Sequence, residues 1–192
     1  GRNLRGDYIP LRDRIGYNLT KGDRTDDFYR YQYERFFARF YAPEERCLRI
    51  GPLRLPRLSI SEHPTREDAY YAMEIGDILI PALFQRYGYV DEGPYEWGDV
   101  RIARDDVVFD CGANLGVFTV LAAYRGAEVF AFEPIPEART ILKQTLKLNP
   151  ALADRVHVVP CALGDEEKTA ECTILAATLV GSSMVIPQTG RE

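Results

Sequence analysis

The second half of the chain carries the clearest pattern of apolar and polar positions. Val107, Val108 and Phe109 form a short unbroken apolar run, the signature of a strand covered on both faces. Asp110 ends the run, and Gly112 and Gly116 let the backbone turn sharply and pass close to a ligand. Leu115 to Tyr124 is apolar nearly all round, so a helix there is expected to be sandwiched and to stop at Gly126. Glu128 to Phe132, rich in aromatic and β-branched residues, predicts a second strand that Glu133-Pro134 closes. Ala138, Ile141, Leu142 and Thr145 then follow helical spacing, with Pro136 opening the helix, Asn149 capping it and Pro150 stopping it. Arg155 to Cys161 predicts a third strand. Asp165 to Lys168 reads as a turn, and Thr169 to Leu175 as a fourth, antiparallel strand.

The first half is less regular. Residues 1–26 are polar and read as an extended lead-in. Asp26 or Asp27 can cap a helix running to about Glu45, with Phe28, Tyr31, Phe36, Phe37, Phe40 and Tyr41 as a stripe that packs in the core, the favoured reading, or stacks on substrate, and Arg30, Arg35 and Arg39 on its wet face. Cys47 to Ile60 alternates loosely, and Pro52 and Pro56 confine it to edge strands or extended segments, in which Arg49, Arg54 and Arg57 either discourage aggregation, the favoured reading, or face an anionic substrate. Thr65 is a candidate cap for a helix through Tyr70, Tyr71 and Ile75 to about Gly76. Asp77 can cap a second helix, kinked or broken at Pro81 and ended by Gly88. A short strand at Val100 to Ile102 and a tight turn at Arg104-Asp105 lead into the first buried strand. The chain thus divides into a helical and extended region, 1–93, and an α/β region, 94–192.

Strand, glycine loop, helix, strand and terminal carboxylate together read as half of a nucleotide-type α/β site. The dinucleotide fingerprint does not fit. Counted from Gly112, Asn114 and Val117 stand where two of its glycines belong. No Gly-Lys-Ser/Thr follows that could make a phosphate-cradling loop. What remains is Asp110-x-Gly112-x-Asn114-x-Gly116, with Glu133 one helix later. This pattern resembles the S-adenosylmethionine site of class I methyltransferases. The stretches Phe109 to Thr119 and Ala131 to Pro136, with Leu148-Asn149-Pro150 and Val158 to Asp165, look like the FkbM-type family over residues 94–184.

The resemblance implies a Rossmann-like methyltransferase sheet and S-adenosyl-L-methionine as cofactor. It also implies methyl transfer to a hydroxyl on a sugar or other small metabolite. Gly112, Ala113, Asn114 and Gly116 would then wrap the methionine end. Glu133, followed by Pro134, would accept from both ribose hydroxyls, and Cys161 and Ala162 would approach the adenine. Asp110 would shape the loop and meet the amino end. Taken alone, Asp110 is a strand-end turn former and Glu133 a solvated carboxylate; their joint spacing favours the site. Tyr95 and Glu96, in a Gly-Pro-Tyr-Glu stretch, either touch the cofactor pocket or close the bottom of the sheet. Gly181 to Met184 resembles the family's serine-containing loop.

Composition narrows the partners. A net charge of -5 with 28% charged residues argues against a general nucleic-acid binder. No apolar stretch reaches membrane-spanning length, and Gly1 to Asp7 lacks a signal-peptide pattern. Cys47, Cys111, Cys161 and Cys172 have no paired spacing, which suits a reduced, cytoplasmic setting with Cys111 and Cys161 as small buried residues. His63 and His157 have no carboxylates at ligand spacing, so no metal is expected. The sheet itself is expected to be incomplete: nothing supplies strands for the open side of the one ending at Asp110. A fragment of a longer chain, completion by a second chain or copy, and a degenerate domain explain this in descending order. A non-catalytic binding or scaffold module is the alternative function, and a nicotinamide oxidoreductase is disfavoured by the broken glycine fingerprint.

Overall fold

A computed structural model of the chain describes residues 39–58, 66–84, 95–96 and 99–169. The aromatic stripe before residue 39, the helix end at Gly88, the fourth strand and the serine loop lie outside the described residues. Two three-stranded sheets are present among them. The first is antiparallel: β1 (Tyr41–Ala42), β2 (Cys47–Ile50) and β3 (Leu53–Pro56). The second is parallel, in the order β4 (Val107–Cys111), β5 (Glu128–Phe132), β6 (Val156–Val159). Helix α1 (Arg66–Phe84) joins the two regions. Helix α2 (Val117–Arg125) links β4 to β5, while α3 (Pro136–Leu148) and the one-turn α4 (Pro150–Ala153) link β5 to β6. The architecture is mixed α/β with successive βαβ units, as the alternating periods implied.

Three local readings are corrected. Helical backbone ends by Phe40 rather than near Glu45, because Tyr41 and Ala42 pair with Leu48 and Cys47. Val100 makes only an isolated bridge, and residues 101–103 are not a strand. Residues 66–84 form one helix, passing through Gly76 and Pro81 without a break. Proline in a helix interior costs about 3 kcal/mol. Ile75, Ile78, Leu79 and Ile80 are all buried around it, at roughly 1.5–3 kcal/mol each, and that burial outweighs the interruption.

The main core lies between the β2–β3 hairpin, α1 and α2. Leu48, Ile50, Leu53 and Leu55 pack with Tyr71, Ile75, Leu79, Val120 and Leu121, and with Leu115, Ile135 and Ala138 from the α/β region. One core therefore spans both halves of the chain. The edge arginines are engaged: Arg54 and Arg49 flank Glu45 at 2.6 and 3.6 Å, and the Arg57 guanidinium lies 5.1 Å from the Tyr41 ring centroid.

Among the described residues the parallel sheet is covered on one face only. Val129, Ala131, Val156 and Val158 meet Ala122, Ala123, Leu142 and Leu146 from the helices. On the opposite face Val107 and Phe109 are 56% and 61% exposed, contrary to the two-sided burial expected of β4. The reason is topological. Strand order runs in one direction, so both crossover helices pack on the same side. Phe109 instead stacks across the register on Phe130, which stacks on His157, with centroids 5.5 and 4.7 Å apart. Cys111 shares that face and is exposed, as is Cys161 beyond β6, which corrects the reading of both as small buried residues; Cys47 is buried. Described residues leave β4 as an edge strand.

Asn149 joins the two halves through polar contacts. Its side-chain oxygen accepts from the Arg54 amide at 3.0 Å, and its Nδ2 donates to Arg54 O at 2.6 Å and Thr145 O at 2.7 Å. The buried carboxamide thus pairs with β3 as a neighbouring strand would, and also caps α3. Asn149→Ala is expected to lower stability by about 2–3 kcal/mol, because it strands buried backbone groups. Urea unfolding checks this, and a loss below about 0.5 kcal/mol would show that water replaces the side chain.

Candidate functional site

In a parallel sheet the C-terminal ends of all strands meet at one edge. Here that edge gathers Asp110 and the glycine loop after β4, Glu133 after β5, and Cys161-Ala162 after β6. Both the Gly112 and Ala113 amides donate to Phe132 O, at 2.9 and 3.0 Å, which bends the loop over the end of β5. The Gly116 amide closes the turn onto Ala113 O at 2.8 Å. Gly112, Asn114 and Gly116 have φ of 93°, 49° and 86°, a left-handed conformation that glycine adopts freely and asparagine tolerates.

The two glycines serve different ends. A Cβ at Gly112 would meet nothing within 4 Å, so this stretch of backbone faces open space. One at Gly116 would lie 2.9 Å from Leu142 Cγ. Gly116 is therefore required for packing the loop onto α3. Helix α2 starts after Gly116 rather than at Leu115, whose side chain is buried in the main core.

Glu133 is 4% exposed, which removes the solvated-carboxylate alternative. Its Oε2 accepts from the Asn114 amide at 2.7 Å and its Oε1 from the Ile135 amide at 2.8 Å. These are charge-assisted bonds, so one carboxylate ties the loop to the entry of α3. Arg139, one turn into α3, donates to the carbonyls of Glu133 and Pro134 at 2.8 and 2.5 Å. Asp110 is also buried and accepts from Thr119 Oγ1 at 2.5 Å. Burial pushes its carboxyl above the usual aspartate range, and the nearby Glu133 charge adds to the rise against the Thr119 hydrogen bond.

Glu96 resolves to a structural role. It accepts from the Ile102 amide at 3.1 Å and pairs with Arg125 at 2.9 Å, and Arg125 also donates to Ala82 O. Tyr95 stands by the first turn of α2, its ring 5.1 Å from that of Phe118. A cleft of about 680 Å³ lies between the C-terminal part of α1 and α2, and the glycine loop does not line it. No group of three metal-ligating side chains is present among the described residues, and no described helix is long and apolar enough to cross a membrane.

Sequence spacing did not single out Thr119, Arg139 or Glu74, whose carboxylate accepts from Asn114 Nδ2 at 3.3 Å. Two of them left a trace. Thr119 is a small hydroxyl among the apolar residues of the first two turns of α2, and Arg139 is a cation in a first helical turn, where the dipole disfavours one.

No family model matches the sequence. Over 119 residues, 61% of this chain, it is 30% identical to the 31-O-demethyl-FK506 methyltransferase FkbM of Streptomyces tacrolimicus. The chain is similar to an FkbM methyltransferase. The family resemblance carried by the Asp110 to Glu133 motif is thus matched by a curated relative. The chain spans 40% of that relative's length. Among solved structures, wild-type Trm5b from Pyrococcus abyssi is 26% identical, with a TM-score of 0.34 over 62% of this chain and 28% of that one.

Asp110 gives a pH test of the site. Its folded-state pKa is raised, so its contribution to stability is fully present below the unfolded pKa and fades as pH rises through the folded value. Asp110→Asn keeps an acceptor for Thr119 and removes the buried charge. Thermal melts across pH should show the variant gaining on wild type as pH climbs above the ordinary aspartate range. A stability difference independent of pH would contradict the assignment.

Proposed function

We propose that this chain carries the cofactor-binding part of an S-adenosylmethionine-dependent methyltransferase with a Rossmann-like sheet, acting on a hydroxyl of a sugar or another small metabolite. The observation that carries the reading is the left-handed Gly112–Gly116 loop, fastened at the C-terminal end of β4 by the carboxylate that ends β5. The FkbM relative supports the reaction class, and its name puts the methyl group on an oxygen.

The residues fit such a cofactor. Open space over Gly112 lets ligand atoms come against the backbone. The Ala113 and Asn114 amides are taken by Phe132 O and Glu133 and shape the loop, while the first-turn amides of α2 offer positive dipole ends suited to a carboxylate. Glu133 uses one lone pair on each oxygen for amides and retains about two acceptor sites, the number that two ribose hydroxyls require. Asp110 supports the loop from below through Thr119, Pro134 leads away from the ribose side, and Cys161 and Ala162 border the adenine side. Bound cofactor supplies an electrophilic methyl on a sulfonium. The protein's own work is to hold that loop rigid and to place the acceptor oxygen in line.

One observation favours a second reading, a non-catalytic or partner-completed module. Among the described residues the Phe109 face is bare and β4 is an open edge. Completion by a second chain or another copy would cover both.

Calorimetric titration with S-adenosylhomocysteine separates the readings. Saturable binding is expected; a well-folded chain that does not bind would leave only the module. Glu133→Ala should weaken binding by about 1.5–3 kcal/mol, roughly ten- to a hundred-fold in Kd. Unchanged affinity would take Glu133 out of the site.

A further inference from the structure

Asn114 is held from two directions. Its backbone amide donates to Glu133 Oε2 at 2.7 Å, from the end of β5. Its side-chain Nδ2 donates to Glu74 Oε2 at 3.3 Å, from the middle of α1. The residue sits at φ 49°, a conformation that costs a non-glycine residue free energy unless local contacts hold it. Glu133 fixes the peptide but leaves the side chain free to swing. Glu74 fixes the side chain.

The anchor itself is firm. One turn before Glu74, Tyr71 is wholly buried, and burial, with the Glu74 charge adding, holds its hydroxyl well above the usual tyrosine range. Ile75 and Ile78 on the same helix are buried in the core that also contains Leu115, the residue after Asn114. Glu74 is therefore presented to the loop by a helix fixed in the same core as the loop.

We infer that Glu74 is a positioning residue for the cofactor loop: through Asn114 it holds the Gly112–Gly116 backbone in its left-handed form. The region before the α/β unit thereby contributes directly to the cofactor site. For binding, this inference rests on the methyltransferase reading; for loop order it does not. The carboxylate acts by accepting a hydrogen bond, so a neutral acceptor of the same length can replace it. Its effect passes through the Asn114 side chain, so removing that side chain makes Glu74 irrelevant to the loop.

The test uses the 192-residue chain with two readouts. The first is S-adenosylhomocysteine affinity by calorimetry. Glu74→Ala should raise Kd about ten-fold, as for loss of one hydrogen bond that orders a binding loop. Glu74→Gln should recover most of that loss. In an Asn114→Gly background, where glycine retains the left-handed backbone, Glu74→Ala should change Kd by less than about two-fold. Additive effects, or a Gln variant as weak as the Ala variant, would overturn the positioning role. The second readout is hydrogen exchange without ligand. In Glu74→Ala the Asn114 and Gly116 amides should exchange faster while the Leu142 amide in α3 keeps its wild-type rate. Unchanged exchange at Asn114 would overturn the inference. If the wild-type chain fails to bind S-adenosylhomocysteine, the functional reading falls, and the exchange result alone decides the role of Glu74.

Discussion

A buried carboxylate between two backbone amides is the constraint on which the rest of the site depends. Glu133 takes the Asn114 amide on one oxygen and the Ile135 amide on the other. The ionised group is almost fully withdrawn from water, so those two bonds have to compensate for lost hydration. Through them the end of β5 fixes the loop after β4 and the start of α3 together. Arg139 completes the corner by drawing in the next two carbonyls. The glycine loop is thus one side of a small frame made of hydrogen bonds, not a flexible strap. A ligand over Gly112 would meet a surface already shaped.

The same frame explains why two buried acids can sit so close. Asp110 and Glu133 lie at the ends of adjacent parallel strands, and burial, with the Glu133 charge adding, raises the Asp110 pKa against the Thr119 hydrogen bond. Glu133 takes two amide donors, whereas Asp110 takes one hydroxyl.

Packing gives the frame its foundation. The hairpin β2–β3 and helix α1 close one core with α2 and the loop residue Leu115, and Asn149 adds a polar tie from β3 to α3. The bare Phe109–Phe130–His157 face is the counterpart of that one-sided arrangement. With two crossovers running the same way across the sheet, every described helix of the α/β unit lies behind it.

Local chemistry was enough for much of this. The strand over Glu128–Phe132, the helix from Pro136 and the stop at Gly126 follow from spacing, caps and glycine, because those signals act within one turn or one strand. So does the motif from Asp110 to Glu133, whose residue types are dictated by a tight turn beside a carboxylate. Other features were decided at long range. Helix α1 runs through Pro81 because burial of Ile75, Ile78, Leu79 and Ile80 exceeds the local penalty, and burial cannot be read from a helix's own residues. Exposure of Phe109 and Cys111 follows from which side the crossovers take, while an apolar run looks the same covered on one face or two. The requirement for Gly116 lies in Leu142, and the hold on Asn114 lies in Glu74, forty residues away along the chain. Sequence by itself determined the elements and the turn chemistry. Only the tertiary structure decided which carboxylate, helix and side chain each of them meets, because those partners are neighbours in space and not in sequence.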